Sequence, residues 1–204
     1  MSDRLPDFAA LIGSRICHDL ISPLGAIGNG VELLSMSGAG GGPELALIAD
    51  SVANANARIR FFRIAYGGPG QQSMGRAEVV SILHDLGQAS RFRMDWAVPD
   101  AQPRAQVRLA FLALQCLETA MPFGGDASVG MDAQGWVVSG RSDKLNVDAA
   151  LWSRLSGHEP EPDSGADSGI SPALVQFALL PELAAELGRD VTWAATASAI
   201  TLRF

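Results

Sequence analysis

The sequence predicts an α+β protein, in which an N-terminal antiparallel helical hairpin is followed by an α/β sandwich with helices on one face of a mixed sheet. Apolar residues in the first third of the chain recur every three or four positions, the spacing of α-helices that bury one face. Glycine- and proline-rich stretches divide this part and then end it. Beyond them, short segments of alternating polarity lie between helical ones. We therefore expect a helical domain, a linker and a sandwich domain over residues 1–68, 69–75 and 76–204.

The first predicted helix covers residues 5–36 and carries one apolar stripe. The stripe consists of Leu5, Phe8, Ile12, Ile16, Leu20, Leu24, Ile27, Val31 and Leu34. Because each residue turns a helix by about 100°, His18 lies on the side opposite to the stripe. Its own face carries mostly small residues and one arginine, namely Ser14, Arg15, Ser22, Gly25 and Asn29. The pattern predicts an exposed histidine with open space around it, beside a bend that Pro23 introduces.

The second predicted helix begins at Pro43 and ends at Tyr66. Its apolar positions alternate steps of three and four, the heptad pattern of helices that pack along a seam. They are Leu45, Ile48, Val52, Ala55, Ile59, Phe62 and Tyr66. One hairpin leaves much of such a seam uncovered, so we expect a second copy of the chain to close a four-helix bundle in a homodimer.

The sandwich domain is predicted from a succession of shorter elements. We expect helices over residues 77–86, 104–121, 147–155 and 172–187, and strands over residues 92–98, 127–131, 135–139, 191–195 and 198–204. Pro181 predicts a kink or a break in the last helix. A stretch rich in proline, glycine and acidic residues, over residues 157–169, contains His158, and we interpret it as a solvated loop rather than a metal site.

Composition and charge narrow the classes of partner. The net charge of −7 and a pI near 4.9 argue against nucleic acid. The first residues are polar and do not resemble a secretory signal, and no apolar run reaches the roughly 20 residues of a membrane span. Cys17 and Cys116 lie in helical patterns and are expected to be buried and reduced. We therefore expect a cytoplasmic protein that binds neither nucleic acid nor membrane.

A resemblance to a known family rests on the residues around His18. The histidine is followed by Asp19 and, five positions after it, by Pro23 on a long helix. This arrangement resembles the H-box of two-component histidine kinases. The fuller string resembles more closely the ChpT-type histidine phosphotransferases of alphaproteobacteria, and it reads His18-Asp19-Leu20, Pro23, Gly25-Ala26-Ile27, Asn29-Gly30 and Glu32-Leu33.

The order of elements after the linker resembles the Bergerat-type ATP-binding domain of histidine kinases. In that family a helix asparagine holds Mg²⁺ and an Asp-x-Gly-x-Gly turn binds adenine. The matching helix, residues 112–118, contains no asparagine, and no Asp-x-Gly-x-Gly occurs between Gly140 and Gly169. ChpT-type proteins are known for a degenerate domain of this kind, so the resemblance implies a Bergerat-like domain that does not bind ATP.

The resemblance implies a histidine phosphotransferase of a phosphorelay, which shuttles a phosphoryl group between receiver-domain aspartates through His18 without ATP. Neutral imidazole is a good nucleophile near pH 7. Asp19 would orient the ring or handle its proton, and Arg15 would contact the phosphoryl group. Receivers would dock on a surface formed by Ser14, Ser22, Gly25 and Asn29.

The same resemblance implies the partners and cofactors. This chain would hold no cofactor and no metal, because the Mg²⁺ belongs to the receiver domain. The partners would be receivers of a hybrid histidine kinase and of response regulators of the CtrA type.

Three alternatives stay open. A divergent histidine kinase would bind ATP without the usual motifs. A non-catalytic receiver-binding dimerisation module would use the same surface with His18 unphosphorylated, so the sequence leaves open whether the protein is an enzyme. An ordinary structural protein would carry the H-box pattern by accident.

A second histidine shares the local sequence of the first. His84-Asp85-Leu86 repeats the triplet at His18, but it lies near the end of a short helix and lacks the downstream proline. Its neighbours Val80 and Leu83 indicate a core-facing helix, so we expect His84 to be structural.

Overall fold

The computed structural model describes residues 8–37, 42–68, 70, 72–88, 90–157 and 170–204. Within these ranges the helices α1 to α6 cover Phe8–Ser37, Pro43–Ala65, Arg76–Gly87, Arg104–Ala120, Ala149–Ser153 and Gln176–Glu186. The strands β1 to β7 cover Ser73–Met74, Phe92–Trp96, Gln102–Pro103, Gly125–Asp132, Gly135–Arg141, Thr192–Ala195 and Ala199–Arg203. Two 3₁₀ turns cover Arg154–Ser156 and Pro172–Leu174.

The N-terminal helices form the hairpin that the periodicity predicts. Pro43 begins α2, where a missing amide hydrogen leaves no helical hydrogen bond unmade. Helix α1 runs through Pro23 without interruption. At Gly30, an added Cβ would lie 2.5 Å from Cγ1 of Ile48, so the absence of a side chain lets α1 and α2 approach closely. Gly25, in contrast, faces open space.

The sheet is mixed, as predicted, with five strands in the order β2-β4-β5-β7-β6. Strands β2 and β4 are parallel, with Phe92 opposite Gly125, and the other neighbours are antiparallel. Alternate residues of β5, such as Trp136 and Val138, are buried, which is the period-two pattern of a sheet covered by helices on one face. The short strands β1 and β3 pair separately.

Helix α4 lies at the centre of the core. Its residues 109–117 are all buried, because α2, α6 and the sheet pack around it. The rings of Phe61 on α2 and Phe111 on α4 stack with their centroids 4.6 Å apart. Residues from the first half of α1, including Phe8 and Ile16, pack against the same core. The hairpin and the sheet therefore share one continuous apolar interior.

The last predicted helix differs from the expectation in one respect. Of the two outcomes predicted for Pro181, a break does not occur, because the residue lies inside the continuous helix α6. The change of conformation comes earlier, at Val175, where the 3₁₀ turn ends and α6 begins. One lost hydrogen bond at the proline is tolerated because Phe177 and Leu180 are buried against the core.

Other differences are small. Part of the predicted linker, Ser73–Met74, forms β1, and strand β2 ends at Trp96 rather than at residue 98. The predicted loop with His158 lies outside the described residues, apart from Gly157. Among the described residues, no helix is long and apolar enough to cross a membrane.

The contrast between Gly25 and Gly30 gives a test of the hairpin packing. Replacing a glycine in an exposed helix interior with alanine stabilises the helix by about 1 kcal/mol. We expect this gain for Gly25→Ala. For Gly30→Ala, the clash with Ile48 should remove the gain or reverse it. Urea unfolding measures both variants, and an equal stabilisation at the two positions would contradict the close approach at Gly30.

Candidate functional site

His18 lies near the middle of α1, with 78% of its side chain exposed. The predicted exposure is therefore confirmed. The surface along the same side of the helix is formed by residues that are also exposed, namely Ser14, Ser22, Gly25 and Asn29. With the exception of Asn29 these side chains are very small or absent, so the imidazole stands on an open face of the hairpin.

The carboxylate of Asp19 holds the His18 ring. Asp19 is largely buried, with 10% of its side chain exposed, and its Oδ1 lies 3.1 Å from Nδ1 of His18. Neighbouring helix residues point about 100° apart, but both side chains are long enough to meet at the edge of the helix. Since a carboxylate only accepts hydrogen bonds, Nδ1 of the neutral ring carries the proton and donates it. The lone pair of the neutral ring is then on Nε2, which faces solvent.

Two arginines contact the other oxygen of Asp19. Nε of Arg15 donates to Oδ2 over 2.9 Å, one helical turn before the aspartate. Nη1 of Arg58, on α2, lies 3.7 Å from the same oxygen. Arg15 also donates through Nη1 to the backbone carbonyl of Ala173, in the C-terminal half of the chain. Asp19 is therefore surrounded by groups from α1 and α2, and one of these groups is itself held by the C-terminal half.

Sequence reasoning did not single out Arg58. The residue lies among three arginines on α2, and nothing in the local pattern distinguishes it from Arg60 or Arg63. The available signal was its position off the apolar seam, on a helix predicted to run antiparallel to the one with His18.

The second histidine, His84, lies on the outer side of a helix whose pattern indicates packing against the core. His84 is exposed rather than packed in the core, because Leu83 rather than His84 points inward. Its Nε2 lies 3.1 Å from the amide nitrogen of Gln88. Asp85 forms an ion pair with Arg60 of α2. His18 and His84 are therefore both exposed, and they differ in the residues that they contact.

The two cysteines also differ from each other. Cys116 is buried as expected, and burial raises the pKa of its thiol. Cys17 is exposed, contrary to expectation, because it lies beside His18 on the outer side of α1.

A buried chain of hydrogen bonds links α2, α4 and α6 behind the site. The hydroxyl of Tyr66 donates to Oε1 of Gln115 over 2.9 Å. Thr119 donates to the backbone carbonyl of Gln115, and Gln176 donates to the Thr119 hydroxyl. Burial raises the pKa of Tyr66 to about 12, and the nearby Arg15 guanidinium partly opposes this rise.

Helix α4 contains the segment that the sequence resemblance aligns with the metal-binding helix of histidine kinases. Its residues 112–117 are buried, and the Gln115 amide is engaged with Tyr66 inside the protein. Among the described residues there is also no group of three or more His, Cys, Asp or Glu side chains that could hold a metal ion.

Comparisons with known proteins place this arrangement in a family. A family model described as the histidine phosphotransferase C-terminal domain matches residues 76–199, which is more than half of the chain. The chain belongs to the histidine phosphotransferase family.

A relative and a solved structure cover nearly the whole phosphotransferase. The protein phosphotransferase ChpT of Brucella abortus (strain 2308) is 35% identical over 202 residues, which cover 95% of this chain and 93% of that protein. A solved structure described as a bacterial phosphotransferase has a TM-score of 0.80 at 30% identity and covers 99% of this chain and 97% of that chain. The ChpT-type resemblance and the α+β fold predicted from the sequence are confirmed.

The burial of Tyr66 in this phosphotransferase can be measured directly, because it is the chain's single tyrosine. Tyrosinate absorbance should appear near pH 12 in the folded protein and near pH 10 in denaturant. Since the folded pKa is raised, the stabilisation is complete below about pH 10 and is lost toward pH 12, by about 3 kcal/mol. Tyr66→Phe should lack this part of the alkaline stability loss. Tyrosinate that forms near pH 10 in the folded protein would contradict the buried hydrogen bond.

Proposed function

We propose that this histidine phosphotransferase moves a phosphoryl group between receiver-domain aspartates through His18, without using ATP. The observation that carries the proposal is the combination of an exposed imidazole with an Nδ1 held by the buried Asp19. This combination leaves Nε2 free to react on the solvent side. Phosphoryl transfer has a loose transition state, so an aimed and uncovered nucleophile is the main requirement.

The proposed transfer consists of two displacements. The Nε2 lone pair of His18 attacks the phosphorus of an aspartyl phosphate, the N–P bond forms, and the bond from phosphorus to the aspartate oxygen breaks to release a carboxylate. A second receiver reverses these steps, with its aspartate as the nucleophile. The Mg²⁺ that neutralises the phosphoryl charge is expected to belong to the receiver.

The residues around His18 have proposed roles in docking and transfer. Receivers would dock on the face formed by Ser14, Ser22, Gly25 and Asn29, where small side chains allow close approach. Asp19 would orient the ring and keep the proton on Nδ1. Arg15 is engaged through Nε and Nη1, so a contact with the phosphoryl group would use its Nη2.

A homodimer is proposed from the way the predicted seam of α2 divides. Ile48, Ala55 and Phe62 pack within the chain. The alternate seam residues Leu45, Val52 and Ile59 leave 51%, 41% and 49% of their surface exposed. On α1, Leu24 and Val31 are exposed as well. A heptad stripe of this kind is covered by a second copy of the same hairpin, which closes a four-helix bundle.

The resemblance to the family supports a proposal for the wider setting of the protein. We expect the partners to be receivers of a hybrid histidine kinase and of CtrA-type response regulators in the cytoplasm. Transfer without ATP is supported by the missing asparagine of α4 and by the internal engagement of Gln115.

His18 and His84 provide a matched test of the phosphoacceptor. A receiver of a hybrid kinase, charged with labelled acetyl phosphate, should label the wild-type chain and His84→Gln but not His18→Gln. Both substitutions should change the free energy of unfolding by less than about 0.5 kcal/mol, because both side chains are exposed.

Each other outcome of that experiment points to a different function. Label that persists on His18→Gln would show that another residue accepts the phosphoryl group. A wild-type chain that binds the receiver without label would favour the non-catalytic module, and label from ATP and Mg²⁺ alone would favour a kinase.

The proposed dimer can be tested with one charge at the exposed stripe. Ile59→Asp should weaken association by about 3 kcal/mol or more, since it places an unpaired carboxylate in the bundle core. The protomer should stay folded because Ile59 is half exposed within it. Leu47→Asp, at an equally exposed position off the stripe, is the control. Sedimentation velocity should give monomers only for Ile59→Asp, and a monomeric wild type would overturn the proposal.

A further inference from the structure

The buried Asp19 carboxylate belongs to a larger charge cluster. Its Oδ1 faces Nδ1 of His18, and its Oδ2 is shared by Arg15 at 2.9 Å and Arg58 at 3.7 Å. The two oxygens therefore have separate partners. The two arginines thus help to position the carboxylate that orients the imidazole.

Each arginine has a second anchor. Arg58 donates through Nε to Oδ1 of Asn54, one turn earlier on α2, over 2.9 Å. Arg15 donates to the carbonyl of Ala173, in the 3₁₀ turn before α6. These anchors fix both guanidinium groups against Asp19 without the help of a bound ligand.

Helix α4 adds an acidic group to the cluster. Glu118 is an exposed residue one turn after Gln115, whose side chain accepts the hydroxyl of Tyr66 at the end of α2. Desolvation raises the pKa of the Glu118 carboxyl. The guanidinium groups of Arg58 and Arg15 are close enough to oppose that rise, and Asp19 adds to it. Glu118 thus lies within electrostatic reach of the same two arginines, on a helix of the C-terminal half.

We propose that Arg58 and Glu118 are positioning residues for phosphoryl transfer at His18. Arg58 holds the Asp19 oxygen that His18 does not use, and Glu118 balances the charge of the two arginines so that they do not withdraw Asp19 from the ring. The inference rests on the proposed function of His18. It assigns to the C-terminal half a role in the transfer reaction that involves no nucleotide.

The charge balance of the cluster predicts that loss of Arg58 and loss of Glu118 shift the pH dependence of His18 reactivity in opposite directions. Asp19 and Glu118 offset Arg15 and Arg58. Loss of the Arg58 charge leaves the net charge around His18 more negative, which favours the imidazolium form and moves the onset of reactivity to higher pH. Loss of the Glu118 charge leaves the cluster more positive and moves the onset to lower pH. If the two residues had only a structural role, their loss would not shift the pH at which His18 becomes reactive in opposite directions.

The other groups that face the cluster are few. Tyr66, after α2, and Cys116, on α4, lie within electrostatic reach of Arg15, and burial keeps both in the neutral form near pH 7.

The chain contains a matched control at the second triplet. Asp85 forms an ion pair with Arg60, two residues after Arg58 on the same helix, but His84 contacts Gln88 rather than Asp85. Arg60→Gln therefore removes an equivalent aspartate–arginine pair that does not hold a histidine. Glu182→Gln, at an exposed position of α6, makes the same charge change as Glu118→Gln away from the site.

The experiment measures His18 alone, in a full-length chain that carries His84→Gln and His158→Gln. Phosphoramidate is the probe: Nε2 attacks its phosphorus, the N–P bond to His18 forms, and the P–N bond of the donor breaks with loss of ammonia. The rate of phosphohistidine formation is measured against pH for Arg58→Gln, Arg58→Lys, Glu118→Gln and the two controls. Nitrogen NMR of the ring reports which nitrogen carries the proton.

We expect Arg58→Gln to reduce the rate at neutral pH by about tenfold and to move its half-maximal pH up by about one unit. Among the neutral His18 rings, the same variant should lower the fraction protonated at Nδ1, because Asp19 is no longer held in place by Arg58. Arg58→Lys, which keeps the charge, should restore the half-maximal pH, and Glu118→Gln should move it down. Arg60→Gln and Glu182→Gln should match the parent chain.

Two results would overturn the inference. One is an Arg58→Gln variant that matches Arg60→Gln in rate, pH profile and ring protonation. The other is a Glu118→Gln variant whose half-maximal pH does not fall. Failure of the proposed function has a different signature, since the wild-type chain would then take no label from a charged receiver while the NMR differences among the variants persist.

Discussion

The contact between the Asp19 carboxylate and the His18 ring constrains the rest of the structure. A carboxylate that is nine-tenths buried is unfavourable unless hydrogen bonds and opposite charges replace its water. Arg15 can supply one such charge from the same helix. The second comes from Arg58 and requires α2 to pack against α1 in one register. The close approach at Gly30 and the shared apolar interior maintain that register.

The C-terminal half contributes to the same constraint through backbone and side chains. The carbonyl of Ala173 holds Arg15, and Gln115 accepts the hydroxyl of Tyr66 at the end of α2. Helix α4 thereby directs its polar groups toward the hairpin and toward α6. These contacts give α4 a structural role in joining the hairpin to the C-terminal half.

The two His-Asp-Leu triplets show which properties of a site the local sequence determines. Both lie on helices, both leave the histidine exposed, and in both the aspartate pairs with an arginine of α2. They differ in whether the aspartate also touches the preceding histidine, which it does at His18, while His84 contacts Gln88. The difference comes from the groups packed around each aspartate, since the triplets themselves are identical.

The sequence by itself determined the elements that depend on local periodicity. The spacing of apolar residues is enough to place both long helices, the mixed sheet and the outward position of His18, because helices and strands repeat over a few residues. The family resemblance likewise rests on one short string around His18.

Only the tertiary structure decided which distant groups meet at Asp19. Arg58 contacts Asp19 from α2 and Ala173 holds Arg15 from the C-terminal half, and contacts over such separations leave no periodic trace in the chain. The seam of α2 shows the same limit, because its heptad pattern is uniform while packing buries Ile48 and Ala55 more than Leu45 and Val52. Cys17, which was expected to be buried, is exposed for this reason: at the edge of an apolar stripe, the neighbouring helix decides which side chains are covered.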